Sequence, residues 1–475
     1  MHKKRISLII LSLLITILGL LSGCNNNENV KSEKVVLRVA NCEEYIDLGD
    51  WDEDELIELE DGTEIIGVNS LVEDFEAWYE ETYGIPVEVQ YSTYGTNEDL
   101  YNQITIGDVY DLVCPSEYMI MKMMREGMLQ PYSEEFWNPE LENNYYIKGV
   151  SPYIKNILAD FEIDGEKVGP YAAGYMWGSL GIVYNPEYIS DEEASHYNIL
   201  WNRDYNRNVT IKDSVRDSYF AAIATYYYDE ITSEDFINDP NYQENLSEIL
   251  NRTDEETIKG VEALLSDVKD NVYSFETDSG KADLVSGKVY ANLQWSGDGV
   301  YTIDQAEEDG VELCYACPTE GCNVWFDGWS MLKKGIDEDT RKQHAAEAFV
   351  NFISMPENVI RNMYYIGYTS CITGGDSDMI FQYIDWCYGA EEDEEETVEY
   401  NNIGYLFTED PVSAEEDYII ETTPDQLTRQ LFAQYPPKEV TDSGVVMRCF
   451  DDEANKAVNR SWVNVRCFDL KSLFK

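Results

Sequence analysis

Tyr110-Asp111-Leu112-Val113-Cys114-Pro115-Ser116 joins a short apolar run to a Pro-Ser turn, and the chain then continues as a helix that ends at Gly127. An apolar run closed by a turn signal reads as a buried strand. Working backwards, Val35-Val36-Leu37-Arg38-Val39-Ala40 is a β-branched run and a second strand. Ser70 and Glu73 form a capping box for a helix whose face carries Leu71, Phe75 and Trp78 and whose end is marked by Gly84. Val87 to Tyr91 follows as a strand, and a helix from Asn97 to Ile106 sets Leu100 and Ile104 one turn apart. Strand and helix alternate through this whole region, which predicts an α/β lobe with a largely parallel sheet.

Working forwards, Gly181-Ile182-Val183-Tyr184 and new alternating elements beyond Trp201 predict a second lobe. Ala345 to Ser354 reads as an apolar helix, and Pro356 suits the first turn of the next one. The last hundred residues mix acidic loops with helical patches, and no solenoid-type repeat is present. A chain of 475 residues is too long for one compact core and suits two lobes.

With Lys+Arg 33 against Asp+Glu 93, the formal net charge of -60 repels nucleic acid and anionic lipid head groups. Most of these carboxylates read as solvated surface, the run Glu391 to Glu396 among them. The ten cysteines are spread too widely to define a disulfide framework. Cys314, Cys317 and Cys322 cluster, but no histidine lies nearby in sequence to complete a zinc site, so they read as buried thiols or a local disulfide. Asp50, Asp52 and Asp54 imitate the start of a calcium loop, yet Glu55 stands where that loop needs glycine and Asp61 replaces its bidentate glutamate. No metal and no cofactor are expected.

At the amino terminus, Lys3, Lys4 and Arg5 precede a mostly apolar run from Ile6 to Leu21, closing on Leu21-Ser22-Gly23-Cys24. This resembles a bacterial lipoprotein signal peptide, residues 1–24, with Cys24 as the lipidated residue. The apolar stretch is shorter than the roughly 20 residues needed to span a bilayer. Residues 25–34 read as a flexible tether. The expectation is an extracytoplasmic protein anchored by lipid to the outer face of the membrane.

Enzyme signatures are mostly absent: there is no G-x-S-x-G elbow, no P-loop and no G-x-G-x-x-G. Several ordered fragments carry a resemblance instead. Asn41-Cys42-Glu43-Glu44-Tyr45, Tyr91-Ser92-Thr93-Tyr94 followed by Asn97-Glu98, and the Tyr110 to Ser116 run come first. Pro170-Tyr171, Tyr175-Met176-Trp177-Gly178 leading to Gly181-Ile182, and Asp213-Ser214-Val215-Arg216-Asp217 follow. Trp295-Ser296-Gly297, Trp325-Phe326-Asp327 and Ile366-Gly367-Tyr368 complete the order. From about Val35 to Tyr368 the chain is similar to the spermidine/putrescine-binding proteins of ABC importers.

That resemblance implies a two-lobed periplasmic-binding-protein fold with a ligand cleft between the lobes. The strand crossings would fall near Gly178 and Trp325, with residues 35–177 plus 327–375 in lobe 1 and 178–326 plus 376–475 in lobe 2. It also implies a monomeric receptor, not an enzyme, that hands a polyamine to an ABC permease. Tyr45, Ser116, Tyr118, Trp295, Trp325 and Tyr368 match the family's aromatic and hydroxyl positions. Asp327 and Asp217 match its amine-recognising acids, Asp217 being shortened from a glutamate. Cys42 stands where a tryptophan is frequent, and Ser214 where an aspartate is, with Asp213 adjacent. Glu44 suits either the site or a solvated surface, and Trp177 reads as packing. The chemistry agrees: ammonium groups linked by methylenes need spaced carboxylates and flat aromatic walls. Two alternatives remain, a carboxylate-based glycan hydrolase and a receptor of the same fold for another small cation or a sugar.

Overall fold

The structure of the protein is a computed structural model in which residues 34–277, 279–391, 394 and 396–467 are described. Cys24 and most of the tether lie outside the described residues. No helix among the described residues is long and apolar enough to cross a membrane.

The strand Val35–Cys42 runs parallel to Val87–Tyr94, in register from Val35 opposite Val87 to Cys42 opposite Tyr94. On its other side it pairs in parallel with Leu112–Val113. Val35, Leu37 and Val39 alternate inward, which sets the register because a one-residue slip would expose all three. Asp111 clamps this edge. Its buried carboxylate accepts from the Arg38 backbone N–H at 2.6 Å and guanidinium at 3.1 Å, and from the Lys342 ammonium at 3.2 Å. The helix Leu71–Tyr83 starts at the Ser70/Glu73 capping box and stops at Gly84, whose φ of 67° is a left-handed cap.

Two long antiparallel strands, Ala173–Tyr184 and Asn323–Leu332, run through the middle of the sheet. Gly178 and Trp325 are register partners, as are Trp177 and Phe326. Ala173, Tyr175, Met176, Trp177, Phe326 and Trp329 pack in the first core, whereas Leu180, Ile182 and Tyr184 pack in the second. The second region adds Val209–Lys212, parallel to both Phe275–Glu276 and Ala291–Trp295. Ala291–Trp295 lies antiparallel to the far half of the first crossing strand. The sheet is therefore parallel among the first-lobe strands, as expected there, parallel again at its other end, and antiparallel at the crossings.

The tail departs from its expected place. The family resemblance places residues 376–475 in lobe 2, yet Ile380, Tyr383, Ile384, Tyr400, Leu406, Ile420, Leu431 and Tyr435 pack in the first core. The helix Met379–Tyr388 sits beside Pro356–Ile366, with the Tyr364 and Trp386 rings 6.4 Å apart, and so extends the same apolar layer. Ala433 already packs with Val183, Val300, Ile303 and Leu313 of the second region, and from Val445 through Met447, Phe450, Val458 and Val465 the tail joins the second core. The acidic insertion Asp47 to Asp61 is also anchored. The buried Asp47 carboxylate pairs with Arg361 at 2.7 Å and accepts from Trp51 Nε1 at 3.0 Å.

Candidate ligand cleft

The register of the second crossing strand shifts between Phe326 and Gly328. There the Gly328 N–H donates to the Pro115 carbonyl at 3.0 Å, and Ser116 and Asp327 form an isolated bridge. The Pro-Ser turn is thus laid against the irregularity that carries Asp327. Ser116 Oγ donates to Asp327 Oδ1 at 2.6 Å, and the Tyr45 hydroxyl donates to Oδ2 at 2.8 Å. Asn97 fixes the serine, accepting from its N–H at 3.0 Å and donating to its Oγ at 2.9 Å.

No lysine or arginine among the described residues forms an ion pair with Asp327. Burial pushes its carboxyl up to about 6, while the Ser116 and Tyr45 hydroxyls pull the other way. Glu117, one residue past Ser116, accepts from the Phe326 N–H at 3.3 Å. Burial, followed by the charge of Asp327, pushes Glu117 up to about 8. A buried carboxylate held by neutral donors alone is costly to ionise, and a cation brought beside it offsets that cost.

Aromatic rings surround it. Tyr45 lies edge-on to Tyr175 and to Tyr368, with centroids 5.4 Å apart in each case, and Trp325 meets Tyr368 at 5.7 Å. The Tyr45 carbonyl accepts from the Tyr175 hydroxyl at 2.7 Å and from Asn41 Nδ2 at 3.0 Å, which fixes its backbone. Two glycines permit this crowding. A Cβ on Gly297 would lie 2.5 Å from the Tyr368 ring, and one on Gly178 would lie 2.7 Å from Trp325 Cζ2. The Trp325 indole N–H is buried without a partner.

On the opposite side, the Tyr368 hydroxyl donates to Asp298 Oδ1 at 3.1 Å. Trp295 Nε1 donates to Asp217 Oδ1 at 3.4 Å, and burial raises Asp217. The Lys212 ammonium lies 4.1 Å from the Trp295 ring centroid. Tyr118 places its hydroxyl on Glu98 at 3.2 Å and its ring under Arg216 at 4.9 Å.

The structure therefore brings Tyr45, Ser116, Asp327, Trp325 and Tyr368 into one cluster, with Trp295 and Asp217 forming a contact pair on the second-lobe side. Asp213 stands apart, exposed, with its carboxylate on Arg466 at 2.7 Å. Glu44 is exposed at a φ of 54° and is not in the cluster. Trp177 is buried against Tyr153, as its packing role implies. Cys314, Cys317 and Cys322 are buried free thiols. Sequence reading missed Asp298, Lys212 and Glu117. Asp298 follows the quoted Trp295-Ser296-Gly297 fragment, and Lys212 immediately precedes Asp213, so both stood at the edge of recognised motifs.

Two lobes joined by crossing strands, with a buried acid and an aromatic box where the strands meet, define a solute-binding receptor of the periplasmic type. Residues 70–382 match the family described as bacterial extracellular solute-binding protein, and the chain belongs to that family. The spermidine/putrescine-binding periplasmic protein of Escherichia coli is 25% identical over 284 residues, 59% of this chain and 70% of that protein. The putrescine-binding periplasmic protein SpuD of Pseudomonas aeruginosa is 25% identical over 287 residues, 57% of this chain and 68% of that protein. Among solved structures, the spermidine/putrescine transporter substrate-binding protein PotD of Streptococcus pneumoniae superposes with a TM-score of 0.57 at 22% identity, covering 91% of this chain and 98% of its own. A putative spermidine/putrescine transporter protein of Listeria monocytogenes gives 0.58 at 19% identity, covering 91% and 99%. These structural likenesses establish the fold.

Proposed function

We propose that this chain is an extracytoplasmic receptor that binds a polyamine between its lobes and delivers it to an ABC permease. The observation that carries the reading is Asp327, a buried carboxylate supported by two hydroxyls, lacking a cation and walled by Tyr45, Trp325 and Tyr368. An alkylammonium supplies the missing charge, and its methylenes pack on the rings. The names of the related binding proteins support the same ligand class. A sugar would instead need several exposed hydrogen-bonding pairs, and the Asp327 hydroxyl donors are already committed.

Closure of the lobes on the ligand and release to a permease are the transport steps that this reading requires. The site residues under this proposal are Tyr45, Ser116, Trp325, Asp327 and Tyr368, with Tyr118, Asp217 and Trp295 on the far wall. Titration calorimetry of residues 25–475 against spermidine, putrescine and maltose tests it. Micromolar or tighter binding of an amine is expected, roughly 8 kcal/mol, with the ligand recovered unchanged. Heat from maltose alone, or conversion of the ligand, overturns the reading.

Lipidation at Cys24 is proposed from the Leu21 to Cys24 tetrapeptide. Labelling cells with a clickable fatty acid checks it: Cys24→Ala should lose the label, and equal labelling of variant and parent rules the site out.

A further inference from the structure

The far end of the aromatic box already holds an ammonium group, and it belongs to the protein. Lys212 ends the strand Val209–Lys212 with its side chain fully buried. Its Nζ sits 4.1 Å from the Trp295 centroid, donates to the Thr277 carbonyl at 2.8 Å and lies 3.8 Å from Asp298 Oδ2. An aromatic face, a carbonyl and a carboxylate are the partners that a bound alkylammonium requires. Lys212, a methylene chain ending in an ammonium, has taken them.

Asp298 is already paired and leaves no vacancy for a second cation. Asp298 also carries Lys281 at 3.2 Å on Oδ1, the oxygen that accepts from Tyr368. Asp217 and Glu276 are the other buried carboxylates near Lys212, and Arg216 is buried beside Asp217. Asp327, at the other end of the box, has neutral donors only. The two ends are linked by a chain of contacts: Asp327 to Tyr45, the Tyr45 ring to Tyr368, and the Tyr368 hydroxyl to Asp298.

We propose that Lys212 occupies the far ammonium subsite itself, so that the cleft selects a diamine over a triamine. This rests on the polyamine reading of the site. A triamine laid from Asp327 along Tyr45 and Tyr368 carries its last ammonium toward Asp298, where it meets Lys212 and Lys281. Like charges at short range in a poorly solvated cleft repel strongly. A diamine has no third ammonium to bring to that point.

The test is calorimetric titration of the mature protein with putrescine, spermidine and N1-acetylspermidine, in which one terminal amine carries no charge. Putrescine should bind at least tenfold tighter than spermidine, and acetylation should recover affinity relative to spermidine. Lys212→Met keeps the volume and removes the charge, and should narrow the putrescine-to-spermidine ratio at least tenfold. If that buried substitution prevents folding, the three-ligand series on the parent decides alone. Spermidine binding as tightly as putrescine, acetylspermidine binding no better than spermidine, or an unchanged ratio in folded Lys212→Met overturns this inference and leaves the polyamine reading standing. Failure of all three amines to bind overturns both.

Discussion

Asp327 and Asp298 each accept from a tyrosine hydroxyl of the same aromatic box, Tyr45 at 2.8 Å and Tyr368 at 3.1 Å. Their remaining partners differ in kind. Asp298 is neutralised by Lys212 and Lys281, while Asp327 has only Ser116 and Tyr45. A carboxylate already paired inside the protein contributes to the shape and stability of the second lobe. A buried carboxylate without a cation costs stability and keeps its affinity for an incoming one. The comparison separates an acid that holds the wall from an acid that recognises a ligand.

Removing the charge of Asp327 should have the largest effect on amine binding. Asp327→Asn is expected to lose about 2 to 5 kcal/mol of amine binding, the range for truncating one partner of a buried charge pair. Calorimetry on matched buffers measures it. The ligand-free protein should change in the opposite sense. The Asp327 carboxyl is raised from 3.8 to about 6 in the folded state. Its protonated form therefore favours folding, and that contribution is lost as pH rises through about 6. The penalty of ionisation is about 3 kcal/mol at pH 7. Asp327→Asn should thus unfold at a higher temperature than the ligand-free parent at pH 7, with the gap closing below about pH 4. A variant that loses both binding and stability at pH 7 would show that Asp327 serves the fold.

The pH dependence of binding sharpens the same contrast. An ammonium binds the ionised carboxylate, and the ligand-free carboxyl titrates near 6. Affinity should fall by about tenfold between pH 7 and pH 5, with one proton released on binding at pH 5. Calorimetry in buffers of different ionisation enthalpy reads that proton directly. An affinity unchanged at pH 5 would move ligand recognition to a different group.

Tyr45→Phe should have a smaller effect. It deletes one of the two hydroxyl donors to Asp327 while keeping the ring against Tyr175 and Tyr368. Binding should weaken by about 0.5 to 1.5 kcal/mol, and the pH midpoint should rise because a bond that favours the ionised form is gone. A weakened affinity with an unmoved midpoint would assign Tyr45 to the ligand instead of to Asp327.

Local signals made the first lobe legible in the sequence. The Ser70/Glu73 box, the Gly84 cap and the alternation of Val35, Leu37 and Val39 each act within a few residues, and the structure has all three. The Asp327 constellation was legible only through the order of motifs, since Tyr45, Ser116 and Asp327 are far apart along the chain. The Lys212 to Asp298 pairing was not legible. It arises from the parallel register that sets Val209 opposite Ala291 and so places the end of one strand beside the helix that follows the other. Asp213, next to Lys212, was drawn into the expected site, yet it lies past the strand end where Arg466 of the carboxy-terminal helix takes it. In the tail, the anchors Ile380, Tyr383 and Ile384 repeat at helical spacing, but the acidic run after them hid which core they serve.

The smallest expected effects belong to acids that the structure leaves outside the cluster. Glu44 precedes Tyr45 directly, which made it a candidate, but its side chain is exposed while the Tyr45 ring turns inward. An exposed carboxylate interacts with a cleft cation through water and salt, so its field there is weak beyond about 10 Å at ordinary ionic strength. Glu44→Gln and Glu394→Gln should each change amine affinity by less than about 0.5 kcal/mol, and the little they contribute should vanish in high salt. Asp213→Asn should leave affinity equally unmoved and cost up to about 1 kcal/mol of stability through the exposed Arg466 pair. Parallel titrations at low and high salt, with thermal unfolding of each variant, check all three. A loss above tenfold for Glu44→Gln that persists in high salt would bring Glu44 to the ligand and add a second recognising acid to the Asp327 side.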